Sequence, residues 1–151
     1  MVVQVNDLGM VASELRHLNW VVYPDYHKDG SEKFWMVRTA YFHDVDYIDL
    51  TDGKYQARVS FDNIKPIPLT EEILKTNLGF YVDSHDGVKF ISIGRINKAM
   101  EIYFVIVGEI LVMSIRIDLQ FIDLGPRVKY LHQFQNLYKE LTMGQELNVK
   151  L

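Results

Sequence analysis

Four polar side chains near the end of the chain have the spacing of a recognition stripe. His132, Gln135, Asn136 and Lys139 stand at offsets 0, 3, 4 and 7, so on a helix they share one face. Amides and imidazoles carry donors and acceptors, and can read a polar ligand, a partner's backbone or base edges. The competing reading is structural, with the helix lying on a sheet and its amides satisfying nearby loop carbonyls. A second set is aromatic: Trp20, Trp35, Tyr41, Tyr47 and Tyr55 crowd the N-terminal half. Exposed aromatics on small barrels stack on bases or grip extended peptides. The same barrel would also need aromatics for its own core.

Other chemistry is thinner. His43 with Asp44 and Asp46, and His27 with Asp25 and Asp29, have residue types that bind metals through nitrogen and oxygen. Neither set has the spacing of a known ligand frame, and a solvated acidic loop accounts for both. No metal or other cofactor is expected. The sequence contains no G-x-S-x-G, H-E-x-x-H, Walker or G-x-G-x-x-G motif. The pair Glu71–Glu72 is explained by helix capping, so the chain is read as a non-enzyme.

The elements that position these residues follow from periodicity. Tyr130, Leu131, Phe134, Leu137, Tyr138 and Leu141 recur at a helical period, which predicts a last helix over 128–142. Nearly everything before it has a strand pattern: residues 15–23, 34–42 and 45–50, then Tyr55, Ala57, Val59 and Phe61 alternating with polar positions. Asp52-Gly53 predicts a type I′ hairpin turn, and Asp86-Gly87 marks a second hairpin. Between the halves, Pro66 and Pro68 forbid helix before Leu69. Thr70 then serves as N-cap, Leu69 and Leu74 as a hydrophobic staple, and Gly79 as the left-handed terminator of a two-turn helix. Further on, 100–107 and 110–122 are expected as two long strands, the first apolar on both faces and central. In the second, Ile115, Ile117, Leu119 and Phe121 alternate with Ser114, Arg116, Asp118 and Gln120.

Composition bounds the rest. The 151 residues are 48% apolar and 13% aromatic, enough for a core in one domain or in two small sub-domains sharing one. The apolar-rich run 100–115 is interrupted by charges and falls short of the ~20 residues of a membrane span. No basic, apolar signal-peptide pattern opens the sequence. The absence of cysteine removes disulfides and thiolate chemistry, and a cytoplasmic setting, host cytoplasm or virion, is expected. Net charge is −4, with no basic run of the kind that displaces phosphate counterions, which disfavours nucleic acid as the partner.

Two motifs carry a resemblance. I-K-P-I-P-L-T-E-E-I-L-K-T-N-L-G-F and V-K-Y-L-H-Q-F-Q-N-L-Y-K-E-L-T-M-G-Q-E-L resemble a group of short uncharacterised proteins of Bacteroidetes phages, prophages and mobile elements. There, "PIPLTEE-L---GF" and "YVHQLQNLY-ALTG-EL" type motifs recur. E-L-R-H-L-N-W-V at 14–21 is similar to that group's usual start, with Leu18 where a glycine is common. The resemblance implies a phage or mobile-element gene and supplies no catalytic residues.

The expected fold is α+β, in four parts. A lead-in at 1–13 precedes a small SH3-like or bent antiparallel β-sheet, barrel-like, at 14–69. A connecting helix at 70–79 leads to a second antiparallel sheet covered by the C-terminal helix at 80–151. The expected function is a non-enzymatic protein-binding or assembly module whose protein partner meets its β-rich surface. The alternative is a small-ligand or single-stranded nucleic-acid binder using Trp20 and Trp35 with His132, Gln135, Asn136 and Lys139.

Overall fold

The computed structural model describes residues 15–24, 31–41, 47–95, 98–125 and 128–150. These residues form an α+β structure with two five-stranded antiparallel sheets. They group into two compact units, one of residues 1–67 with Tyr130–Asn136, the other of Pro68–Lys129 with Leu137–Leu151. The expected metal sets around His27 and His43 lie outside the described residues, as does the lead-in at 1–13.

The first unit holds β1 (Trp20–Pro24), β2 (Glu32–Tyr41), β3 (Tyr47–Thr51), β4 (Gln56–Ser60) and β5 (Lys65–Pro66), in the order β4-β3-β2-β1-β5. The long β2 does two jobs. Residues 32–36 pair with β1 and residues 36–41 with β3, with a register shift between Val37 and Thr39. A bulge bends its strand and increases local twist, so β2 carries the sheet around a corner. After a single 3-10 turn at Phe61–Asn63, β5 returns to the free side of β1. The sheet stays open, with β4 and β5 at its edges, and the expected barrel closure is not made. Only two residues of β5 pair, and Pro66 and Pro68 have no N–H to donate to a further ladder. Val21, Trp35, Val37, Ile48, Leu50, Phe61 and Ile64 fill the core of this unit.

The strand expected from residue 15 begins only at Trp20. Residues 16–19 form a turn instead, with Leu18 in the left-handed region at φ +70°. Asn19 closes it, its Oδ1 accepting from the Arg16 N–H at 2.7 Å and its own N–H donating to Arg16 O at 3.1 Å.

The two Asp-Gly sites make different turns. At Asp86-Gly87 both residues have positive φ, +50° and +79°, and His85 pairs Val88 across a two-residue loop of type I′. At Asp52-Gly53 only Gly53 is left-handed, and Thr51 pairs Gln56 across a four-residue loop. There the Asp52 carboxylate accepts from the Lys54 and Tyr55 N–H groups at 2.8 and 2.6 Å, while Thr51 Oγ1 bonds both Gly53 N–H and Tyr55 O. Side-chain capping of the loop wins over the tight turn.

The second unit opens on α1 (Glu71–Thr76), capped as expected by Thr70 Oγ1 accepting from Ile73 N–H at 3.2 Å. Gly79, at φ +72°, turns the chain so that its N–H reaches Lys75 O at 3.1 Å. A hairpin meander follows: β6 (Val82–His85), β7 (Val88–Arg95), β8 (Met100–Val107), β9 (Ile110–Ile117) and β10 (Gln120–Gly125), in the order β10-β9-β8-β7-β6. The strand β8 is central, as its two apolar faces predict.

The last helix, α2 (Leu131–Leu141), is shorter than its apolar period suggests. Gln133 Oε1 reaches back to the Tyr130 N–H at 3.2 Å, half of a capping box, and Leu131 N–H donates to Ile67 O at 2.9 Å. Its first part groups with the first unit, and only Leu137–Leu141 with the second.

Candidate functional site

Residues 110–122 do not form the single long strand that their alternation predicts. The chain reverses at Asp118-Leu119, where Asp118 adopts φ +55° and Ile117 pairs Gln120. The reversal changes the phase of everything after it. Phe121 lies opposite Arg116, and so joins the face of Ser114 and Arg116 instead of that of Ile115. Leu119 is left at the turn, 94% exposed.

The two faces of the second sheet therefore differ. Ile91, Ile102, Phe104, Leu111, Met113 and Ile115 are buried on one face, in the unit that also buries Leu74, Leu78 and Leu147. The other face carries Phe90, Tyr103, Val105, Ser114, Arg116 and Phe121, with His85 and Val88 at the β6–β7 hairpin. Together they line an open groove of about 320 Å³. Register explains the hollow: Tyr103 of β8 pairs Ser114 of β9, which pairs Asp123 of β10. The small Ser114, 2% exposed, makes a floor between larger side chains. Phe90 and Tyr103 meet edge to face at 6.1 Å, and Tyr103 and Phe121 lie tilted at the same separation. Phe121 is 65% exposed, an aromatic wall facing solvent.

One end of the groove is polar. Glu101 accepts from the Tyr103 hydroxyl and pairs with Arg116 and with Arg95, the last at 2.7 Å. The Arg116 guanidinium lies 5.9 Å from the Tyr103 ring centroid. The Tyr103 hydroxyl and the Arg95 guanidinium hold the Glu101 carboxyl below its ordinary range. Burial, and then the Glu101 carboxylate, push the Tyr103 phenol up. Glu101 is thus a fixed anion, and Tyr103 keeps its proton at neutral pH. The arrangement orients and holds, and among the described residues it presents no general base beside a nucleophile.

The six residues singled out by sequence are distributed elsewhere. His132 is fully buried and stacks on Tyr130 at 5.8 Å, and Gln135 is 4% exposed. Gln135 Oε1 accepts from the Trp20 N–H at 3.0 Å and Nε2 donates to Leu18 O at 3.1 Å. Asn136 Oδ1 accepts from Asn19 Nδ2 at 2.9 Å. These amides secure the turn before β1, the structural use weighed above, and a side chain spent on backbone partners offers little to a ligand. Lys139 pairs with Glu146. Trp35 is 1% exposed, with Nε1–H donating to Tyr23 O at 3.1 Å, and Trp20 is half-buried. The stripe and the two tryptophans do not converge on one surface.

The groove residues were hidden in the sequence by Phe121. It continues an unbroken alternation, and Asp-Leu is not a pair that marks a turn. The one signal available was Asp118, a residue type that tolerates left-handed backbone. Among the described residues, no helix is long and apolar enough to cross a membrane. Compared with known proteins, the chain matches no family model, no curated protein and no solved structure.

Proposed function

We propose that this is a non-enzymatic protein-binding or assembly module of phage or mobile-element origin, acting in the host cytoplasm or in the virion, and that it meets its partner through the groove-bearing face of the second sheet. The observation that carries the reading is the exposed aromatic hollow between Phe90, Tyr103 and Phe121. Contiguous apolar surface with a polar rim marks interaction sites, and aromatics with arginine dominate binding hot spots. Exposed Val88 and Ile122 add apolar area in the same unit.

The small-ligand or single-stranded nucleic-acid alternative draws on Trp35, His132 and Gln135, and those side chains are buried. Photo-crosslinking tests the choice. A benzoylphenylalanine at position 121 is expected to give a specific protein adduct in extracts of infected or element-carrying cells. The same group at the exposed Tyr81 position gives none. Oligonucleotide binding that weakens steeply with salt and quenches tryptophan fluorescence, with no adduct at position 121, would reverse the assignment.

A further inference from the structure

The groove is continuous, through Arg116, with a second hollow of about 110 Å³ lined by Arg95, Lys98, Ala99, Glu101, Arg116 and Asp118. Three cations stand there against two carboxylates, one positive charge in excess in a chain whose net charge is −4. Glu101 is shared by both arginines, and Lys98 pairs with no carboxylate among the described residues. The apolar part, near 320 Å³, lies at the bottom of the range for small-molecule pockets, roughly 300–1,000 Å³. It suits one bulky side chain better than a whole cofactor.

Resting on the protein-binding reading above, we propose the chemistry of the partner. The groove takes an acidic–aromatic peptide segment, with one large apolar side chain seated over Ser114 between Tyr103 and Phe121. A neighbouring carboxylate lies against Arg116 and Lys98. The aromatic walls supply contact area, and the excess charge sets which flanking residues are accepted.

Titration of the isotopically labelled full chain with two synthetic peptides, one tryptophan flanked by glutamates or by lysines, tests this by nuclear magnetic resonance. The acidic peptide is expected to shift Tyr103, Ser114 and Phe121 resonances and to bind about tenfold tighter than the basic one. Phe121→Ala, at an exposed position that leaves folding intact, weakens it about tenfold or more. Lys98→Glu reverses the preference between the two peptides. Equal binding of both peptides, shifts confined to another surface, or wild-type affinity in Phe121→Ala would each overturn the proposal. So would tighter occupation of the groove by dodecanoate, or a self-association that Phe121→Ala abolishes. A protein adduct at position 121 with no acidic preference removes the partner chemistry and leaves the binding-module reading standing. Absence of both removes both.

Discussion

At the scale of single residues, polar side chains that looked available are used to hold backbone. Gln135 satisfies one carbonyl and one N–H around Asn19, which is itself 2% exposed. Gln135→Ala leaves both groups short of a partner, so a loss of about 1–3 kcal/mol is expected in urea unfolding. Leu18 stands in the left-handed region, where glycine has no Cβ penalty. Leu18→Gly is expected to stay within about 1 kcal/mol of the parent, and the β-branched Leu18→Val to lose more, by the same measurement. The position is also where the resembling phage group commonly has glycine.

Asp52 gives a pH prediction at this scale. The Lys33 ammonium at 2.6 Å, with the N–H groups of Tyr55 and Lys54, holds its carboxyl well below the usual carboxylate value. A folded-state value below that of the unfolded chain, about 3.9, means the ionised form is favoured by folding. The contribution is complete above that value and is lost as pH falls through the folded one. Asp52→Asn should therefore flatten the acid limb of the melting temperature below about pH 4, with the neutral-pH part of the loss small because the pair is near the surface.

At the scale of elements, one dipeptide gives two turns because neighbours decide. Thr51 and Asp52 together cap the 52–55 loop, whereas Asp86 and Gly87 carry a bare two-residue reversal. A Cβ at Gly87 meets nothing within 4 Å, so only its φ of +79° resists substitution. Gly87→Ala is expected to cost about 1 kcal/mol in thermal unfolding, a conformational cost without a clash. The short helix α1 was legible end to end, since the Thr70 cap and the Gly79 terminator act within a few residues. The hairpin at Asp118 was not. Its turn has no glycine, and the apolar alternation runs through it undisturbed, so local pattern favoured one long strand.

At the scale of the molecule, the last helix serves both units along its length. Leu131 and Phe134 are fully exposed to neither solvent nor substitution: each is 0% accessible, whereas Leu137 is half-buried. Phe134→Ala is expected to cost about 3–5 kcal/mol in denaturant unfolding, and Leu137→Ala distinctly less. A near-zero loss for Phe134→Ala would mean the helix is not anchored in the first unit's core.

The sequence by itself determined the α+β class, most strands, the capped helix α1 and the apolar stripe of α2. Periodicity, caps and prolines act over a few residues and need no distant partner. Tertiary structure decided where polar groups find partners and on which face a side chain falls. The amides of Gln135 and Asn136 meet residues 18–20, more than a hundred positions away in the chain. Phe121 reaches the groove because one unmarked turn shifts a period of two by half. A β-strand's faces are set by register, and register belongs to the pair of strands rather than to either alone.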